Sequence, residues 1–330
     1  MPEMEVQQKL KFVRSMLYVP GSNARALEKA RGLAADMLIV DLEDAVPAEA
    51  KEDARAAAVA YVATGVPGKL LAIRINAPDS EYYAADVAAI RASAADLIVV
   101  PKVESVESVD SFTWDIGKPV LAMIETPKGL FMAPQIAGHE GIAGLLAGTN
   151  DIAAETGIKP GPQRQGLETA LQMIVLAAAY AGKPRFDGVN NKLDDMAGFE
   201  AECQQGVTYG FTGKTLIHPN QVEIANRIFA PDADAVAEAE ELIAASRGGA
   251  QRFRGRMIES MHVEQARLTI ERSRHATGDG LSTRYGVTQN APSGVAIRRP
   301  YSDQFDGACA GKSQRSKIAR AYRKIGERRI

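Results

Sequence analysis

The chain has 330 residues, 46% apolar and 24% charged, with a formal net charge of −2. These values are ordinary for a globular protein and exclude a disordered or fibrous chain, and so small a net charge gives no field that would gather nucleic acid or an acidic membrane. The two cysteines, Cys203 and Cys309, are too few for a disulfide framework or a four-cysteine zinc site, and no apolar run nears the ~20 residues that cross a bilayer, so a reducing cytoplasm is the expected setting.

The N-terminal MPEMEVQQKLKFVRS is polar and acid-bearing, unlike a signal peptide. After it come short apolar runs: SMLYVP (15–20), DMLIVDLE (36–43), LLAIRIN (70–76), DLIVVPK (96–102), PVLAMIET (119–126), GIAGLLAGT (141–149), PRFDGV (184–189) and GKTLIHP (213–219). Each is bounded by Gly, Pro or Asp and lacks a polar alternation, which predicts strands buried on both faces. Ala-rich helical stretches separate them, such as ARALEKARGLAA, AEAKEDARAAAVAYVA, YYAADVAAIRASA and LETALQMIVLAAAYA. Alternating strands and crossover helices require a parallel sheet. Eight such units over 14–230 predict an α/β fold of the closed (β/α)8 TIM-barrel type. An open doubly wound sheet is the rival, but no G-x-G-x-x-G follows the first run.

Beyond the barrel, 228–246 reads as a linker and a helix, and 247–273 as a short extended piece and a second helix. Two such elements are too small to fold alone and must pack on their own barrel or a neighbour's. The predicted organisation is an N-terminal arm (1–13), the barrel (14–230), a helical lid (231–271) and a tail (272–330). The tail holds 13 Lys/Arg against 4 Asp/Glu, whereas the first 271 residues hold 26 against 37. Its Gly, Ser, Thr and Arg texture without an apolar period reads as a flexible or non-native extension, and it carries no nucleic-acid-binding pattern.

In a barrel, chemistry gathers at the C-terminal ends of the strands. Those ends hold Asp41, Glu43 and Asp44; Arg74 and Asn76; Lys102 and Glu104; Glu125 and Thr126; Thr149, Asn150 and Asp151; and His218. Glu125 and Asp151 top adjacent strands, so their carboxylates can converge and then need a proton or a cation such as Mg²⁺ between them. Asp151 alternatively caps the helix that follows it. Arg74 is either the partner of a strand-2 acid or a bidentate clamp on a substrate carboxylate. His218 reads first as a structural histidine and second as a base, and Cys203 as a packed or surface thiol.

Taken in order, RSMLYVPGS, DMLIVDLEDAVPAEAK, IRIN, VVPKVES, IETPKGL, AGTNDIA and GFTGKTLIHPNQ resemble the citrate lyase β-subunit-like (CitE-like) family of the HpcH/HpaI aldolase superfamily over about residues 14–271. That family includes malyl-CoA, methylmalyl-CoA and citramalyl-CoA lyases. The resemblance implies a (β/α)8 barrel, usually a homotrimer or hexamer, with a C-terminal segment reaching over a neighbour's active site. It implies Glu125 and Asp151 as Mg²⁺ ligands, with Glu43 and Asp44 supporting the metal site. It implies Arg74 at the 2-oxo acid carboxylate. Tyr18, Arg25, Lys29, Ile217 and His218 fall at coenzyme A contacts, which makes His218 a binding residue more than a base.

There are two departures from the family pattern. Long relatives carry M-I-D in the lid, whose Asp enters the neighbouring site as the proton-transfer group, whereas RMIES places Glu259 there. The 272–330 tail matches no family element. The resemblance implies reversible cleavage of a 3-hydroxy-3-carboxyacyl-CoA into acetyl-CoA and a 2-oxo acid, with no Schiff base. Lys102 is the lysine best placed to contradict that. The alternatives are a citrate lyase β-subunit acting on a carrier thioester, thioester hydrolysis after cleavage or condensation, and a silent barrel serving as a scaffold.

Overall fold

The computed structural model describes residues 3–277. The tail from 278 onward, and the reading placed on it, lie outside the described residues.

The chain opens with α1 (Glu3–Leu10) and then alternates: β1 (Ser15–Pro20), α2 (Ala24–Arg31), β2 (Met37–Asp41), α3 (Lys51–Ala63), β3 (Leu70–Arg74), α4 (Tyr83–Arg91), β4 (Leu97–Val100) and α5 (Val106–Ile116). It continues through β5 (Val120–Ile124), α6 (Pro127–Gly138), β6 (Ile142–Ala147), α7 (Thr149–Thr156), α8 (Glu168–Tyr180), β7 (Arg185–Asp187), α9 (Met196–Tyr209), β8 (Gly213–Leu216) and α10 (Gln221–Ile228). The eight strands pair in sequence order, all parallel, and β8 pairs with β1, which closes the barrel. All eight strands fall within the predicted runs, shortened at their ends where the chain leaves the ladder.

Alternation along each strand divides the core in two. Inward residues such as Met16, Met37, Ile39, Leu70, Leu121 and Phe186 fill the barrel, while outward ones such as Leu17, Leu38, Ile73, Ile98 and Leu145 meet the helices. The N-terminal segment is not a free arm. Val6, Leu10 and Val13 are buried against the first inward residues of the strands and seal the end of the barrel opposite the site.

After the barrel come α11 (Ala233–Ala245), a hairpin of β9 (Gln251–Phe253) and β10 (Arg256–Ile258), and α12 (Ser260–Thr277). The extended piece is therefore two antiparallel strands turned at Arg254 and Gly255, both at positive φ. Ala239, Leu242, Ile258 and Ala266 form a small core of their own. The far end of α12 docks on the barrel, where Arg272 Nη2 donates to the Thr212 carbonyl at 2.8 Å and His275 stacks on Phe12. α12 runs through Arg272, so the change of texture there falls within a helix. No described helix is long and apolar enough to span a membrane.

Candidate active site

Inward positions recur every second residue along a strand. Stepping by two from Met16, Met37, Leu70 and Leu121 reaches Tyr18, Asp41, Arg74 and Glu125, at or just past the C-terminal strand ends. These four line one cavity of about 270 Å³, together with Asp44 and Asp151.

Asp41 and Arg74 are register partners across β2 and β3. Arg74 Nε and Nη2 donate to Asp41 Oδ1 and Oδ2, both at 2.6 Å. Nη1 faces Glu43 at 2.9 Å and Asp44 at 3.3 Å, and the guanidinium lies 4.8 Å from the Tyr18 ring centroid. Arg74 is thus the partner of a strand-2 acid, and only its Nη1 edge turns toward the more exposed acids. Burial works against its charge, but the contact with Asp41 outweighs that and holds the guanidinium well above its ordinary value.

Glu125 is buried at the β5–α6 corner. Thr126 caps α6 by accepting the Gly129 N–H at 3.0 Å, and Pro127 opens the helix, so the chain direction after Glu125 is fixed. Lys102 sits at φ +49° just past β4 and donates its backbone N–H to Glu125 Oε1 at 2.7 Å. Burial pushes the Glu125 carboxyl up to about 7; the Lys102 N–H opposes this and the charge of Asp151 adds to it. Asp151 lies in the first turn of α7, whose N-cap is Gly148, so the capping reading of Asp151 is overturned. Its carboxylate makes no hydrogen bond among the described residues. Gly148 is required by space: a Cβ there would stand 2.3 Å from Glu125 Cβ and 2.5 Å from Oε2.

Two converging carboxylates, one pushed toward protonation and the other unpartnered, are a donor set that suits a hard divalent cation with open positions for substrate oxygens. Among the described residues no third acid, His or Cys completes a closed cage.

The loop carrying Glu43 and Asp44 is anchored from below. The buried Lys51 Nζ donates to the Leu42 and Glu43 carbonyls at 2.7 and 2.8 Å and to Asn76 Oδ1 at 2.6 Å. Asp86 in turn accepts from Asn76 and Arg55. Burial pushes Glu43 up to about 8, with Arg74 opposing and Asp44 adding. Burial also raises the Tyr18 phenol, whose hydroxyl has no hydrogen-bond partner among the described residues.

Arg25 and Lys29 lie one turn apart on the exposed face of α2, and neither forms an ion pair among the described residues. Ile217 lines the cavity. His218 is exposed and its Nδ1 lies 2.6 Å from Asn220 Oδ1. The backbone N–H groups of both already donate to Gln221 Oε1 at 3.0 and 3.2 Å, which leaves side chains and the Ile217 carbonyl for a ligand. Glu259 stands half-buried between β10 and α12, its N–H donating to His262 Nδ1. It touches none of the mouth residues among the described contacts.

Lys102 is not the lysine of the interior, since its side chain is exposed and its backbone does the site's work. The enclosed lysine is Lys214, which has outward parity on β8. Its Nζ lies 2.8 Å from both Asp187 and Glu202, and Arg164 Nη1 lies 2.8 Å from Asp187. This network sits between the barrel wall and α9. Cys203 is a packed thiol that burial pushes up to about 12. Lys51, Asp86 and Gly148 were not singled out from sequence as site-building residues; Asp41 was named among the strand-2 acids, and the β2–β3 register is the signal that picks it out as the partner of Arg74.

The family model described as HpcH/HpaI aldolase/citrate lyase matches residues 14–219, and that described as C–C bond lyase of the TIM-barrel fold matches 163–276. A (3S)-malyl-CoA thioesterase of Cereibacter sphaeroides is 41% identical over 82% of this chain and 97% of its own length. The citrate lyase subunit beta of Escherichia coli is 30% identical over 81% and 95%. The crystal structure of CitE from Mycobacterium tuberculosis in complex with magnesium, acetoacetate and coenzyme A has a TM-score of 0.69 and 28% identity, covering 80% of this chain and 99% of that one.

Proposed function

The chain belongs to the HpcH/HpaI aldolase/citrate lyase family, and on that footing we propose that it is a carbon–carbon lyase that cleaves, or forms, a 3-hydroxy-3-carboxyacyl-CoA such as malyl-CoA or citramalyl-CoA. The observation that carries this reading is the convergence of Glu125, Asp151 and the Arg74 edge on one cavity at the barrel mouth.

Glu125 and Asp151 would hold Mg²⁺, which supplies Lewis-acid polarisation of the substrate's hydroxyl and carboxylate oxygens. Glu43 and Asp44 would support that position from the β2 side of the mouth. Arg74, fixed by Asp41, directs its Nη1 edge at the substrate carboxylate. The substrate hydroxyl passes its proton to a carboxylate of the mouth, Asp44 or Glu43, and its oxygen becomes the carbonyl of the 2-oxo acid. The electron pair of the breaking C–C bond passes to the thioester fragment as an enolate. Glu259 of a neighbouring copy delivers a proton to the enolate carbon, giving acetyl-CoA; in condensation it removes that proton. Tyr18 and Ile217 border the thioester end, and His218, Arg25 and Lys29 receive the rest of CoA, the two cations facing its phosphates.

This scheme requires a homotrimer or hexamer in which residues 231–271 act as a lid, and a cytoplasmic setting where CoA thioesters are found. Thioester hydrolysis after cleavage or condensation is a second reading, and its condensation form, hydrolysis of malyl-CoA itself, is favoured by the 41% identity to a (3S)-malyl-CoA thioesterase. A citrate lyase β-subunit acting on a carrier thioester is a third, favoured by 30% identity to the E. coli subunit.

The test is release of 2-oxo acid, trapped as its phenylhydrazone, from malyl-CoA and citramalyl-CoA with Mg²⁺ and with EDTA, alongside free CoA release. Mg²⁺-dependent 2-oxo acid release lost in Glu125→Ala is expected. CoA release without 2-oxo acid would favour hydrolysis alone, and no release from either thioester would sink the lyase reading.

A further inference from the structure

The joint between β10 and α12 holds Glu259, and it is built differently from the other helix starts of the chain. Glu259 directly precedes Ser260 and so takes the N-cap position of α12, and His262 is the third helical residue. At a helix start a short polar side chain commonly turns back to accept a backbone N–H of the first turn, as Asn23, Ser105, Thr126, Asp195 and Asp232 do here. Glu259 does the reverse. Its carboxylate makes no hydrogen bond or ion pair among the described residues, and its backbone N–H donates to His262 Nδ1 at 3.0 Å. The His262 N–H in turn donates to the Glu259 carbonyl at 3.0 Å.

This is the returning half of a capping box, with an imidazole where Glu or Gln commonly stands. To accept at Nδ1 the ring must be neutral and carry its proton on Nε2. The hydrophobic staple that often accompanies such a box is present too. Ile258, just before the N-cap, is buried, and Val263, the fourth helical residue, packs against the cluster to which Ile258 belongs. The Glu259 backbone is thus held from both sides while its carboxylate stays unbonded. An imidazole also makes the bond without setting a second carboxylate beside the first, where like charges would repel.

We propose that His262 is the positioning residue of the proton-transfer step: its ring takes over the cap, which fixes the direction in which the Glu259 side chain leaves the backbone and frees the carboxylate to reach a neighbouring copy's substrate. The inference rests on the lyase reading and on Glu259 as its proton-transfer group. Without the Nδ1 bond the joint can turn, and a carboxylate displaced by on the order of 1 Å costs roughly 10²-fold in rate.

The test compares His262→Leu, which removes the acceptor, with His262→Gln, which supplies the usual capping-box side chain, both in the full-length protein with Mg²⁺. Exchange of the acetyl-CoA methyl protons with D₂O should fall roughly 10-fold to 100-fold in His262→Leu and return to within about threefold of wild type in His262→Gln. The Mg²⁺ midpoint and the calorimetric affinity for pyruvate should be unchanged in both. Nitrogen-15 NMR of the wild-type imidazole should show the Nε2–H tautomer. A cap that served only the fold of the lid would lower Tm in His262→Leu and leave exchange alone. Unchanged exchange in His262→Leu, a loss that His262→Gln does not recover, or an Nδ1–H tautomer would each overturn the positioning role, and if wild type still releases 2-oxo acid the lyase reading stands. Wild-type protein that neither exchanges those protons nor releases 2-oxo acid would overturn both.

Discussion

Gly148→Ala isolates the contribution of a single contact to the site. The glycine sits at φ −95°, ψ 76°, near the inverse-γ conformation open to any L residue, so the backbone raises no objection to alanine. The three atoms nearest the added methyl group all belong to Glu125, at 2.3 Å for Cβ, 2.5 Å for Oε2 and 3.2 Å for Cδ, where ordinary contact begins near 3.4 Å. Something must yield by about 1 Å. Rotating the Glu125 side chain relieves the Oε2 contact but releases the Lys102 N–H at 2.7 Å and leaves Cβ in place. The Cβ contact yields only if the backbone moves at the end of β5 or at the start of α7, which carries Asp151 with it. Either way the carboxylate pair loses its spacing, and a displacement of that size costs roughly 10²-fold in rate. Stability should fall by only about 1–3 kcal/mol, the usual cost of overpacking. The expected result is a protein folded at 25 °C with kcat/KM lowered about a hundredfold and a weaker Mg²⁺ midpoint. Activity within threefold of wild type with an unchanged Mg²⁺ midpoint would refute the assignment of Glu125 and Asp151 as a geometric unit.

Lys214→Met leaves Glu202 and buried Asp187 with Arg164 as their only cation among the described residues, so a loss of about 3–5 kcal/mol is expected, lowering Tm by roughly 6–20 °C; calorimetry showing under about 1 kcal/mol would mean the network is not structural. Glu43 and Glu125 have carboxyls raised to about 8 and about 7, so the folded state holds more protons than the unfolded state from about pH 4.5 upward, and without metal stability should fall as pH rises to 8. Mg²⁺ should restore Tm progressively more toward pH 8, and a flat metal-free profile would contradict the burial of these groups. The depressed Asp187 works in the opposite sense, supplying stability that is lost only as pH falls below the ordinary aspartate range, so it does not disturb that window. Glu259→Gln should abolish exchange of the acetyl-CoA methyl protons with D₂O, and Glu259→Asp should retain it; exchange surviving in Glu259→Gln would remove Glu259 from proton transfer.

The barrel was legible because each fully buried parallel strand is an apolar run with turn residues at both ends, and because eight such runs alternate with helical stretches. The position of the site was legible for the same reason, since chemistry-bearing residues cluster where those runs end. The division of labour within the site was not, because it depends on register and clearance rather than on residue type. Whether Arg74 clamps a substrate or an acid of its own chain turns on Asp41 being its cross-strand partner, which one strand cannot reveal. Lys102 attracts attention as a charged residue at a strand end, but its left-handed backbone turns the N–H, not the ammonium, toward Glu125. Asp151 reads as a helix cap only if α7 starts after it, and α7 starts earlier.

Parity accounts for most of these outcomes. On β2, β3 and the path out of β5, a polar residue occupies the inward position after two apolar ones: Asp41 after Met37 and Ile39, Arg74 after Leu70 and Ala72, Glu125 after Leu121 and Met123. The apolar layers below exclude water, and the polar rung above them is therefore partly desolvated from beneath while open to ligand from above. That position is what pushes Glu125 upward and makes the Asp41–Arg74 pair tight. Lys214 shows the converse. One residue out of phase on β8, it faces α9 instead of the mouth, and a buried lysine that could have been taken for a nucleophile becomes the centre of a structural charge network. In this fold a single residue of register decides whether a charged side chain belongs to catalysis or to the frame.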